Sequence, residues 1–154
     1  MQNQLRMIFF RLAATILILT AAAKIATLAS GLKLLSLPDP LFTFVTRGQL
    51  LALASIAEIA IAIAILRRPS DASFSKPALV AWLATVFGLY RFGLYVTGYR
   101  GVCPCLGNFG DLFHLNAATV DFLMKGIVVV LLVFSYTFLI LDRSSAARKE
   151  SSRT

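Results

Sequence analysis

The chain has 154 residues, 58% of them hydrophobic and only 14% charged, with a mean hydropathy of +0.82. Soluble domains carry about 25% charged and 45–50% apolar residues, so this composition excludes an ordinary water-soluble globule, and a chain this apolar cannot stay solvated as a disordered segment. A formal net charge of +8 would suggest nucleic acid in a soluble protein, but the placement of the basic residues ties it to topology and anionic lipid instead.

A membrane-crossing helix takes about 20 predominantly apolar residues, and four such stretches occur, at about 7–30, 48–66, 77–99 and 117–141. They predict an all-α, integral membrane four-helix bundle occupying residues 1–141 as one domain, with a disordered tail rich in Ser and Arg over 142–154. In the first stretch Arg6, Arg11, an apolar run and Ala21-Ala22-Ala23 imitate a secretory signal. Hydrophobicity resumes beyond Lys24, however, making the segment longer than a signal core, and we read it as a span. Pro38 and Pro40 interrupt the first connection, where helix breakers belong. The second stretch contains the alternating run from Ile59 to Ile65, strand-like by period but embedded in an apolar segment too long for a strand. Pro69 and Pro77 flank the next connection, and the last span begins after Asn116, a good helix cap, with Leu115 and Val120 in the positions of a hydrophobic staple.

Short loops rich in Lys and Arg stay cytoplasmic. Arg6, Arg11, Arg67, Arg68, Lys76, Arg143, Arg148, Lys149 and Arg153 fall on one side and Lys33, Arg47, Arg100 and Lys125 on the other, nine against four. Both termini are therefore expected in the cytoplasm of a multi-pass protein of a bacterial inner membrane.

With Arg11, Asp121 and Lys125 assigned to the two faces, three charges remain inside the predicted spans: Lys24, Glu58 and Arg91. Each costs about 2.5–3.5 kcal/mol at a helix centre on insertion scales, so all three should face the bundle interior and find partners. With a rise of about 1.5 Å per residue they sit roughly 9, 15 and 12 Å from the outer ends of their helices, at similar depth. Two readings follow from this: neutralising pairs that fix helix packing, or a polar pocket for a membrane quinone or a proton path. Tyr90, Tyr95 and Tyr99 continue outward from Arg91, as in a pocket rim or an interfacial aromatic belt.

Both cysteines lie in the third connection, Arg100-Gly101-Val102-Cys103-Pro104-Cys105-Leu106-Gly107. By the charge count it faces the periplasm, where disulfides persist. Two cysteines one residue apart close too small a loop to staple a fold. Pro104 favours an extended Cys103, which puts the two Cα atoms near the upper limit for a bridge; such a bond is strained and easily reduced, as in catalytic disulfides. Arg100 favours a thiolate three residues on, and His114 is a candidate base or a simple interfacial side chain. Cys103, Cys105 and His114 fall short of a closed structural zinc site, and no metal is expected.

The four-span layout, Ala23-Lys24, Ala57-Glu58, Tyr90-Arg91 and the Cys103-Pro104-Cys105 loop together resemble the MauE branch of the DoxX-like membrane proteins over about residues 11–141. Pro104 and Leu106 stand where Gly and Phe are common in that branch. The resemblance implies a redox-associated membrane protein, since MauE itself is implicated in maturing a disulfide-rich periplasmic subunit of methylamine dehydrogenase. The expected function is thiol-disulfide exchange between Cys103/Cys105 and a periplasmic client. The alternative is a non-enzymatic subunit or assembly factor whose cysteine loop only docks a partner.

Overall fold

The computed structural model describes residues 2–67, 75–99 and 117–151. They form four α-helices, α1 (Gln2–Ala29), α2 (Arg47–Arg67), α3 (Ser75–Val96) and α4 (Ala117–Ser151), with a short 3-10 turn, Lys33–Ser36, between α1 and α2. All four helices contain a segment long and apolar enough to cross a membrane, which is the fold of a multi-pass membrane protein. The Ile59–Ile65 alternation is helical, because a hydrocarbon environment leaves backbone groups no partner outside their own segment.

Local signals account for the helix ends. Gly31 (φ +62°) and Gly98 (φ +68°) take the left-handed conformation just beyond α1 and α3, where residues with a Cβ are strained. After α3 the amides of Gly98 and Tyr99 reach back to the carbonyls of Tyr95 and Leu94, both at 3.1 Å, closing a Schellman motif. The start of α2 carries a reciprocal capping box: Gln49 N donates to Thr46 Oγ1 at 3.2 Å and Thr46 N to Gln49 Oε1 at 3.0 Å. Pro77 falls in the first turn of α3, where its missing N–H costs nothing. The expected cap Asn116 and the staple residue Leu115 lie outside the described residues.

One expectation requires correction. The sequence reading leaves 142–154 as a disordered tail, whereas α4 continues to Ser151, beyond its apolar segment, which does end at Leu141. Ala146, Ala147, Arg148, Lys149 and Glu150 are all good helix formers, and extending an existing helix avoids the cost of nucleating one.

α1 packs chiefly on α2 and α3 on α4, while α2 and α3 meet at few points. At one end, where α1 and α3 begin, the helices close tightly. Phe9 stacks on Phe134 and packs against Phe138 with ring centroids 5.4 Å apart in both cases. Ala13, Ala14, Leu17, Ile61, Ala62, Ile65, Val80, Leu83 and Ala84 complete a continuous buried core. Small residues at these contacts let backbones approach closely, which is how helices associate where lipid is as apolar as their side chains. Several hydroxyls within the helices are satisfied by the preceding turn, as Thr15 is by Arg11 O and Ser55 by Leu51 O, whereas the fully buried Ser135 hydroxyl has no partner among the described residues. Leu53, Ile56, Trp82, Leu89, Phe92, Phe122 and Ile140 point outward and are exposed, a girdle that a bilayer would cover.

Candidate functional site

At the opposite end the weak contact between α2 and α3 opens into a cavity of about 400 Å³. Its walls are mostly carbon, from Leu50, Leu53, Ala54 and Ala57 of α2 and Trp82, Val86, Phe87 and Leu89 of α3. Met124 and Val128 of α4 reach its far side, and Leu41 and Phe42 of the first connection also line it. All three charges expected within the spans, Lys24, Glu58 and Arg91, line this one space.

Lys24 Nζ lies 2.6 Å from Glu58 Oε1, joining α1 to α2, and each side chain is 2% exposed. The ammonium also sits 5.4 Å from the centroid of the Phe87 ring, within the range of a cation–π contact. Taking two ions out of water is costly, and the pair holds because its charges are nearly in contact. It is incompletely satisfied, however: Glu58 Oε2 has no hydrogen-bond partner among the described residues.

Arg91 is not joined to Glu58. Its NH1 donates to Asp121 Oδ1 on α4 at 2.8 Å, and Lys125 Nζ, one turn further along α4, approaches Asp121 Oδ2 at 2.6 Å. The two pairs thus divide the labour. Lys24–Glu58 ties α1 to α2 and Arg91–Asp121 ties α3 to α4, leaving the α2/α3 seam without an ionic link between the helices among the described residues.

A roof is built over this end by the connection after α1. Asp39, 1% exposed, is its organising residue. Oδ1 accepts from the amides of Leu41 at 2.9 Å and Phe42 at 3.2 Å, and Oδ2 accepts from the Tyr90 hydroxyl of α3 at 2.7 Å. The Asp39 amide in turn donates to Val45 O at 2.9 Å, and Arg47 N to Leu37 O at 3.0 Å, so residues 37–47 fold back on themselves beside an isolated bridge between Pro38 and Thr46. The Arg47 guanidinium stands 5.8 Å from the Tyr99 ring. Leu41 seats against Gly93, where a Cβ would fall only 3.0 Å from Leu41 Cδ1; the absent side chain is what lets the roof come down onto α3.

Nothing in the sequence pairs Tyr90 with Asp39 or Arg91 with Asp121. Pro38-Asp39-Pro40 does carry a turn signal, because Asp side chains bond amides two and three residues on. Cys103, Cys105, Arg100 and His114 lie outside the described residues. Comparison with models of known protein families, with curated proteins and with solved structures yields no match in any of the three.

Proposed function

We propose that this protein is a bacterial inner-membrane redox protein in which Cys103 and Cys105 exchange disulfides with an extracytoplasmic partner. The observation that carries the reading is the position of the pair in the chain. The only two cysteines fall in the connection between α3 and α4, whose nearest described residues, Tyr99 and Ala117, belong to the end of the bundle that holds the cavity. Arg91 and Asp121, paired at 2.8 Å, join the two helices on either side of it. The basic-residue count puts this end outside, with the chain termini and Arg67 in the cytoplasm.

In the exchange, the thiolate of one cysteine attacks a partner disulfide, one partner sulfur leaves as a thiolate, and a mixed disulfide forms. The second cysteine then attacks the first, forming the Cys103–Cys105 bond and releasing the partner as a dithiol; run in reverse, the same steps oxidise a partner. Position beside Arg100 favours Cys103 as the attacking sulfur. Replacing either cysteine with Ser should therefore abolish the exchange almost as fully as replacing both, because the two halves of the cycle are not independent. Thiol trapping in cells reads this directly. A pair that cycles between oxidised and reduced forms supports exchange, and a pair that never changes state assigns the loop to docking. Reporter fusions after Leu66 and Leu141 should both report cytoplasmic ends.

A further inference from the structure

We infer that the connection between α1 and α2 is a membrane-inserted lip, lying in the lipid leaflet at this end of the bundle with Phe42 and Phe44 among the upper acyl chains. The inference needs only that the helices cross a bilayer and is independent of the redox reading.

The first ground is depth, because the connection is seated below the helix ends and not above them. Leu41 packs on Gly93, three residues inside Val96, where the apolar span of α3 ends; that is roughly 4.5 Å along the helix. Gly48, in the first turn of α2, lets the 3-10 turn come down in the same way, since a Cβ there would fall 3.2 Å from Leu35 O. Asp39 is tied to Tyr90, which also belongs to the apolar span of α3.

The second ground is what the connection presents. From Ser30 to Arg47 the charged residues are Lys33, Asp39 and Arg47, and two of these are turned in. Asp39 is buried, and the Arg47 guanidinium lies against Tyr99 while its Nε donates to Pro38 O at 3.4 Å. The outward face is apolar: Leu34, Leu37, Phe42 and Phe44 are exposed at 51%, 46%, 42% and 84%, and the two rings meet edge to face with centroids 6.0 Å apart. Lys33 is exposed, and a lysine stem can lie along lipid while its ammonium reaches the phosphates.

The third ground is the backbone. Irregular chain placed against hydrocarbon must satisfy its own polar groups. Over 37–47, outside the tip at Thr43 and Phe44, every amide donates to an acceptor within the chain, and positions 38 and 40 are prolines, which have no amide to satisfy. A loop that faces water is under no such requirement. A soluble protein partner fits this face less well, because protein-docking patches carry a polar rim and the charges here point inward.

The test places an indole at the tip. Phe44→Trp is combined with Trp82→Phe, which removes the only tryptophan of the chain, and the full-length protein is set in nanodiscs of phosphatidylcholine brominated either near the glycerol end of its acyl chains or near their methyl end. For a segment seated about 5–10 Å into the boundary between head groups and acyl chains, bromine near the glycerol end should remove about half or more of the emission. Bromine near the methyl end should remove less, and iodide in the water should quench far more weakly than it quenches free tryptophan. A second measurement avoids the indole: Phe44→Cys, in a chain carrying Cys103→Ser and Cys105→Ser, takes a nitroxide label whose collisions with oxygen should exceed those with a water-soluble nickel chelate. Iodide quenching close to that of free tryptophan with no effect of bromine, or nickel collisions in excess of oxygen collisions, overturns the inference. Either result stands the connection in water and leaves the Phe42/Phe44 face to a soluble protein partner.

Discussion

The two ends of the bundle are built on opposite principles. Where α1 and α3 begin, aromatic rings and alanines pack closely in a buried cluster that runs from Phe9 to Phe138, with Lys76 and Ser135 also buried at this end. Where α1 and α3 finish, the helices are joined by ion pairs and by the Asp39–Tyr90 hydrogen bond, and between them lies a cavity. Packing specifies a structure by excluding alternatives; charges at 2.6–2.8 Å specify it by the penalty of separating them. The second method can leave space open between the helices. The difference teaches that the polar residues in these spans are not scattered exceptions to an apolar design. They hold together the half of the molecule that cannot be held by packing.

That contrast can be broken most severely at the ion pair. Glu58→Ala strands Lys24 in the interior, and leaving one partner of a buried pair uncompensated costs about 3–5 kcal/mol. Folded yield by size-exclusion chromatography should collapse. Lys24→Met/Glu58→Gln should recover most of it, since no lone charge remains. If Glu58→Ala accumulates like the wild type, the pair is not what holds α1 to α2.

The packed end should respond chiefly to shape. Ala62 is fully buried, and Ala62→Leu forces extra methylenes into close-packed helices at a cost of about 1–3 kcal/mol. The same enlargement at Ala54, beside the cavity, should leave the unfolding temperature nearly unchanged. Equal losses at the two sites would erase the distinction between a packed end and an open one.

Smaller effects sharpen the picture of the roof. Tyr90→Phe removes a hydrogen bond to the buried Asp39 carboxylate, an interaction of about 1.5–3 kcal/mol when one partner is charged. Because the roof is also held by its own backbone bonds, the expected loss is at the lower end of that range. Faster maleimide labelling of a cysteine at exposed position 44, in a background lacking Cys103 and Cys105, would report the loosened loop. Thr46→Ala should cost about 1 kcal/mol through the lost cap of α2, read as a modest fall in unfolding temperature with no change in labelling at position 44.

Much of the architecture was legible because lipid simplifies the code: runs of about 20 apolar residues admit few interpretations. The charges Lys24, Glu58 and Arg91 stood out for the same reason, being expensive where they lie. Their partners were harder to read. Asp121 and Asp39 sit at the ends of apolar runs, where a charge is cheap and carries no signal of its own. Nothing in one dimension says that Asp39 reaches Tyr90, 51 positions away. Two local features were readable and passed over, the Thr46-x-x-Gln49 capping box and the glycines after α1 and α3. The continuation of α4 to Ser151 shows the opposite error, in which a polar composition was taken for irregular backbone although its residues favour helix. The cavity itself is a product of helix tilt and unequal packing, which no linear pattern encodes.

The central claim joins the cysteine pair to the open end of the bundle, and it is tested most directly by the redox state of that pair. Cells making the full-length protein are quenched with acid, and Cys103 and Cys105 are trapped with a mass-shifting maleimide. The account predicts a mixture of dithiol and disulfide forms, with a mixed disulfide to a partner accumulating in Cys105→Ser and absent from Cys103→Ser/Cys105→Ser. A pair found in one state only, with no mixed disulfide in either single mutant, would contradict it.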